Sequence, residues 1–424
     1  MLTMGIAPTP WVEPNRRRTP HTFRGNTLHL TPAPRAHLWR PVLASLMVVA
    51  YLLTLWLPPQ VATAAIQVPD VTAQGVYAYD LNTGIELFAK NEHERMSIGS
   101  VVKIVTALVT VKHANLDDEV VIIEADLVDD PSYSNMGLNA GDTLTVSQLL
   151  YGLLIPSGSD GADALARHVG KIITGSDDPI AQYDAFVREM NAFIAEQGLE
   201  NTRITNPHGI DAPNNYSTAY DISILSGLLM KNEDLARIVG EPGYSFVSVG
   251  PEARQYEDQN TNQMLGQSGV VGIKTGSTDE AGGCVVLART TNNGNSTVIT
   301  AVLGSDLTYD ANSAIVTDER WTDASRLFEF MDATFVWVPV NDGATFADLP
   351  TELSVWNVQI TGNPTIPVTN GGETQTRYQL TLNPDGGGTL EIYFDQDRVG
   401  SIPLEPASAA QGPDLATIGK HNMT

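Results

Sequence analysis

The sequence predicts a mixed α/β domain followed by a small all-β module, and three observations carry that prediction. Strand-like alternation stands at both ends of a long helical stretch, at residues 75–90 and again at 269–304. Segments arranged this way bury their faces best as one sheet that joins early and late strands, with helices packed on it. Beyond about Ala344 the helical period disappears, and short alternating runs divided by Asn, Pro and Gly replace it.

The chain begins with a basic segment, residues 1–40. The first 64 residues hold six arginines (Arg16, Arg17, Arg18, Arg24, Arg35 and Arg40) against one acid, Glu13, a local net of +5. The whole chain carries −25, so the remainder carries −30. A body this acidic excludes nucleic acid as a partner, because phosphate binding needs a basic face. Residues 41–65 contain an uncharged apolar run, Val42 to Leu57, then Pro58-Pro59 and Ala62-Thr63-Ala64. A positive flank, an apolar run and a small-x-small site form a signal peptide, or an uncleaved anchor holding the chain to the cytoplasmic membrane. Either form puts the rest outside the cytoplasm, secreted or on the outer face of that membrane.

After this segment, "GVYAYDLNTGIELFAKN" alternates on both sides of Asn82-Thr83-Gly84, the signature of a hairpin. Helical spacing follows at about 99–112, 146–155, 160–172, 178–198, 218–231 and 320–333. The late strands are Gly269 to Ile273, "GGCVVLART" and "STVITAVLG". Together these define an expected domain over 66–338. Residues 344–404, with "LSVWNVQITG" and "RYQLTLNPDGGGTLEIYFDQD", form the expected all-β module, and 405–424 a flexible tail. The single cysteine, Cys284, has no partner for an internal disulfide and reads as a buried apolar filler.

Three short motifs carry chemistry. In "SIGSVVKIVTALV", Ser100 and Lys103 stand three residues apart on one helix face. They form either a capping serine with a snorkelling lysine, or a nucleophile with its base. Enclosing the face would lower the lysine pKa and free an amine to take the serine proton. In "LLIPSGSDGADALARHV" a helix ends at Pro156 and Ser157-Gly158-Ser159 turn into the next helix. Either Ser159 or Asp160 caps that helix, or a hydroxyl of the turn passes a proton. In "GVVGIKTGSTDEAGG" a strand ends in Lys274-Thr275-Gly276-Ser277. This is either a plain surface turn or a strand edge where Lys274 and Thr275 hold a carboxylate, with Gly276 admitting a ligand to the backbone.

In the order S-x-x-K, S-x-S, K-T-G, the three motifs resemble the penicillin-recognising serine enzymes. The chain is similar to the D-alanyl-D-alanine carboxypeptidases of the low-molecular-mass penicillin-binding proteins over roughly Gly75 to Asp332. "NMGLNAGDTLTVSQLLYGLL", "ITNPHGIDAPNNYSTAYDISIL" and "NTNQMLGQSGVVGIKTGSTDEAGG" fit the same family in order. The resemblance implies a β-lactamase/transpeptidase-like α/β (α+β) domain: an antiparallel sheet with helices on both faces. It implies Ser100 as nucleophile, Lys103 as general base, and Ser157 as the proton shuttle to the leaving D-alanine. Lys274 and Thr275 would bind the terminal carboxylate, and the Ser100 and Ser277 N–H groups would form the oxyanion hole. The implied partners are stem peptides ending in D-Ala-D-Ala and β-lactam antibiotics; no metal or organic cofactor is implied.

One position departs from the family pattern. Its middle motif usually ends in asparagine, whereas this chain has Ser159, which offers a single hydroxyl. That departure keeps open a weakened enzyme that only binds wall peptides. A β-lactamase shares the three motifs, but no deacylating glutamate can be assigned. There is no G-x-S-x-G elbow, and "HERMS" lacks the second histidine of a zinc helix. His208 has no evident partner and reads as a loop packing residue.

Overall fold

The computed structural model describes residues 68–128, 133–250, 253–291, 294–310, 315–340, 358–360, 364–370, 376–384, 386–394 and 397–406. The expected basic segment and the signal or anchor lie outside the described residues, as does the tail beyond 406. Among the described residues, no helix is long and apolar enough to cross a membrane.

The hairpin forms where the sequence places it. Strand β1, Gly75–Asp80, pairs antiparallel with β2, Glu86–Lys90, across the Asn82-Thr83-Gly84 turn. The Asp80 carboxylate fixes that turn by accepting from the backbone N–H groups of Asn82 and Thr83. A 3-10 turn, Gly99–Val102, then leads into α1, Lys103–His113. Short strands β3, Glu119–Val121, and β4, Thr143–Thr145, pair with each other ahead of α2, Val146–Leu154. A capping box starts α2: Thr145 Oγ1 accepts from Gln148 N, and Gln148 Oε1 from Thr145 N. Helices α3, Ser159–Thr174, α4, Pro179–Glu196, and α5, Ala219–Lys231, lie within two residues of their expected bounds.

A short helix α6, Glu233–Val239, and the pair β5, Gly243–Val247, and β6, Gln255–Gln259, have no counterpart in the sequence expectation. The late strands are β7, Val270–Thr278, β8, Gly282–Thr291, and β9, Ser296–Ser305. They complete a five-stranded sheet in the order β2-β1-β9-β8-β7, antiparallel at every pair. A separate pair, β10, Leu307–Tyr309, and β11, Ile315–Asp318, precedes α7, Arg320–Thr334.

Both faces of the sheet are buried, and the period of two is visible in which core each residue joins. Tyr77 and Tyr79 of β1, Cys284, Val286 and Ala288 of β8, and Ile299 and Ala301 of β9 pack with helices α1 to α6. Val76 and Ala78, Val285 and Leu287, and Val298 and Val302 point the other way. There they meet Ala324, Leu327 and Phe328 of α7 and apolar residues of the C-terminal β region. Each fully buried Leu or Ile contributes about 1.5–3 kcal/mol. Helix α1 is enclosed so completely that Lys103 to Thr110 are all buried. A lysine in such a helix cannot snorkel to solvent, which removes the bland reading of S-x-x-K.

Beyond α7, strand β12, Phe335–Pro339, pairs with β14, Thr365–Thr369. Strand β13, Val358–Ile360, joins β15, Thr376–Leu382, β16, Gly388–Phe394, and β17, Asp397–Pro406, in a sheet of order β13-β17-β16-β15. Ser401 N donates to Thr83 O at 2.9 Å, which ties β17 to the early hairpin.

Candidate active site

The three motifs converge where the entry to α1 meets the start of α3 and the sheet edge. Ser100 sits in the 3-10 turn and Lys103 is the first residue of α1. Lys103 Nζ donates to Ser100 Oγ at 3.0 Å, to Ser159 Oγ at 3.3 Å and to the main-chain oxygen of His208 at 2.7 Å. The lysine is 0% exposed. Burial lowers its pKa to about 7, against the opposing pull of Asp163 and Asp160. His208 therefore does have a partner: its carbonyl holds the amine of Lys103. Burial and the lysine charge drive its own ring down to about 3, so the imidazole stays neutral.

Ser157 and Ser159 play different parts. Helix α2 ends at Leu154 rather than Pro156, and Ser159 is already the first residue of α3, behind an N-cap at Gly158 that uses no side chain. Its hydroxyl is thus free for Lys103. Asp160 accepts from the N–H groups of Met136, Gly137 and Leu138, clamping that segment beside the turn. Ser157 has φ +74°, a left-handed conformation that is costly for a residue with a side chain. Its hydroxyl is buried and has no hydrogen-bond partner among the described residues.

The K-T-G motif lies inside β7 rather than past its end, because Lys274 to Thr278 pair in register with Val286 to Gly282 of β8. β7 is one of the two edge strands of that sheet. Lys274 is 1% exposed and donates from Nζ to Thr275 O at 3.0 Å. Burial, then the charges of Lys103 and Arg320, push its pKa well down. The Thr275 and Thr261 hydroxyls lie 2.7 Å apart. Ser277 is exposed. At Gly276 a Cβ would stand 2.6 Å from Ile98 O and 3.0 Å from Val101 N. Its lack of a side chain admits the Ser100 turn. Gly209, with φ +85°, does the same from the other side, since its Cβ would meet Gly99 O at 2.0 Å.

Two further residues lock these segments together. Asp211 Oδ1 accepts from Ser97 Oγ at 2.8 Å and from Thr278 Oγ1 at 2.7 Å. Arg320 reaches from the start of α7 to Gly276 O at 2.9 Å and Cys284 O at 3.2 Å. Neither residue type in isolation signals this role. The "HGID" stretch around Asp211 was the available clue, and Arg320 had none.

A half-buried serine beside a fully buried lysine, set against a K-T-G strand, is the arrangement of serine acyl-transfer enzymes that use a lysine base. The D-alanyl-D-alanine carboxypeptidase family matches residues 62–307, and the chain belongs to that family. As a member it is a serine-type carboxypeptidase, a hydrolase of the penicillin-binding group. The D-alanyl-D-alanine carboxypeptidase of Streptomyces sp. strain K15 is 38% identical over 249 residues, covering 57% of this chain and 84% of that protein. DacA of Haemophilus influenzae is 31% identical over 245 residues, covering 56% of this chain and 58% of that protein. Among solved structures, a point variant of the Streptomyces K15 DD-transpeptidase superposes with a TM-score of 0.57 at 35% identity, covering 63% of this chain and all of the other. Penicillin binding protein 6B of Escherichia coli matches 80% of this chain and 96% of its own, with a TM-score of 0.57. At 24% identity, that likeness is one of fold.

Proposed function

We propose that the chain removes the terminal D-alanine from peptidoglycan stem peptides through an acyl-enzyme on Ser100. The observation that carries this is the 3.0 Å contact between Ser100 Oγ and a lysine amine fully withdrawn from water. Lys103 takes the hydroxyl proton as Ser100 Oγ bonds to the carbonyl carbon between the two D-alanines. The N–H groups of Ser100 and Ser277 stabilise the oxyanion, the electrostatic contribution usually worth most in acyl transfer. As the C–N bond breaks, Ser157 hands its proton to the leaving amine and takes up the one Lys103 holds, which returns Lys103 to the free amine. The buried Ser157 hydroxyl, without a partner among the described residues, supports that role. Lys274 and Thr275 hold the terminal carboxylate. Water then attacks the ester, Lys103 again acts as base, and Ser100 is released. β-Lactams, which bind enzymes of this family, acylate the same serine.

This chemistry belongs outside the cytoplasm, which the N-terminal pattern of residues 1–65 supports; membrane attachment through that segment is part of the same proposal. The C-terminal β region, 344–404, is proposed as an all-β module that follows the 66–338 domain and packs on it through a shared apolar core. The test is release of D-alanine from an N-acylated Lys-D-Ala-D-Ala tripeptide. The wild-type chain should release it, and Ser100→Ala should lose at least about 10³-fold in rate with an unchanged melting temperature. Undiminished release by Ser100→Ala would sink the assignment. Because a relative is named a transpeptidase, the assay also includes an amine acceptor, and the hydrolysis product should dominate without it.

A further inference from the structure

Helix α3 carries a second acid at the site that none of these roles uses. Asp163 stands four residues beyond Ser159, one helical turn along the same face. Its Oδ1 is buried and has no hydrogen-bond partner among the described residues. That oxygen lies 3.9 Å from Nε2 of His208, the residue whose carbonyl accepts from Lys103. Asp163 also lines a hollow of about 190 Å³ with Asp126, Arg167 and Tyr183. A buried carboxylate oxygen left without a donor is unfavourable unless a nearby cation compensates it.

The groups facing Asp163 narrow down what that cation is. Asp160 stands on the same helix, with its carboxylate occupied by three backbone N–H groups of residues 136–138. From the 3-10 turn Glu124–Asp126, Asp126 is held by Arg167 through two bonds of 2.6 and 2.8 Å. Tyr183 of α4 is kept neutral by burial and by Asp163 itself. The His208 ring is neutral as well. Lys103 remains. Burial raises the Asp163 carboxyl to about 7 while Lys103 draws it back, and Asp163 is the largest charge opposing the depression of Lys103.

We propose that Asp163 is a positioning residue for acyl transfer, the counter-charge that governs how much of Lys103 stands as free amine beside Ser100. When Asp163 is ionised, it stabilises the ammonium and withholds the base. When Asp163 is protonated, that counter-charge is gone and Lys103 gives up its proton more readily, so the amine becomes available. This inference rests on Lys103 being the base.

The test is the second-order rate of acylation by benzylpenicillin, followed on the full chain from about pH 5 to about pH 10. Asp163→Asn keeps the shape and removes the charge. Its acidic midpoint should fall by about one pH unit, since removing a close opposite charge favours the neutral amine. Asp163→Glu should bring the midpoint back toward wild type. A lowered plateau with an unmoved midpoint would make Asp163 a packing residue and overturn the proposal, as would a midpoint that rises. If Asp163→Asn does not fold, Asp163→Ser provides the same comparison. Failure of the wild-type chain to acylate at any pH would instead overturn the assignment of Ser100 and Lys103, and this proposal with it.

Discussion

Lys103 and Lys274 are both enclosed by the fold, yet the floor and the wall of the site treat their lysines in opposite ways. On the floor, Lys103 has three oxygen partners and two acids nearby. On the wall, Lys274 donates to the adjacent Thr275 carbonyl, and the charges acting on it are the cations Lys103 and Arg320. Among the described residues, neither lysine makes an ion pair with a carboxylate. A lysine ringed by hydroxyls and a carbonyl is suited to losing and regaining a proton. A lysine surrounded by cations makes a positive pocket that an incoming carboxylate relieves. In the proposed function, one lysine does chemistry and the other recognition.

The largest way to break this contrast is pH. Lys103 works as a base only when neutral, so acylation should rise as pH increases through about 7. Two units below that midpoint the rate should be about 100-fold under its plateau. A flat profile across that range, measured with benzylpenicillin, would remove Lys103 from the role. Next comes the wall. Lys274→Gln should lower kcat/KM for the tripeptide by about 10–100-fold, the value of one lost charged hydrogen bond. The loss should fall mainly on KM, and a loss confined to kcat would mean that Lys274 acts on the reacting bond instead.

The joint between floor and wall is Gly276. Gly276→Ala should force β7 away from Ile98 and Val101, costing about 1–3 kcal/mol in stability by urea denaturation. Acylation should drop about tenfold, because Ser100 and Ser277 would no longer be held together. The smallest effect belongs to the departure from the family pattern. Ser159→Asn should preserve or raise acylation by penicillin, by up to about tenfold, through one further oriented hydrogen bond. A slower acylation rate would show that the Lys103–Ser159 contact is the better fit for this chain.

What could be read from the sequence divides by distance along the chain. Ser100 and Lys103 share a turn, so spacing alone places them together. The hairpin at Asn82-Thr83-Gly84 and the helices α1 to α5 and α7 are local patterns and appear close to where they were expected. The strand ending at Ile273 was too short because Lys274, Thr275, Gly276 and Ser277 carry no apolar alternation; pairing with β8 makes them strand. The Lys103 contact with His208 comes from a backbone oxygen 105 residues away, and a carbonyl has no side-chain signature. Asp163 and Arg320 are likewise ordinary charged helix residues in one dimension. Only packing turns them toward the site.

The most direct measurement is intact-mass analysis of the chain with benzylpenicillin, followed by peptide mapping. A stable adduct confined to the peptide bearing Ser100, and absent from Ser100→Ala, is the expected result. An adduct on Ser157 or elsewhere, or none in a folded sample, would contradict the assignment of Ser100 as the nucleophile.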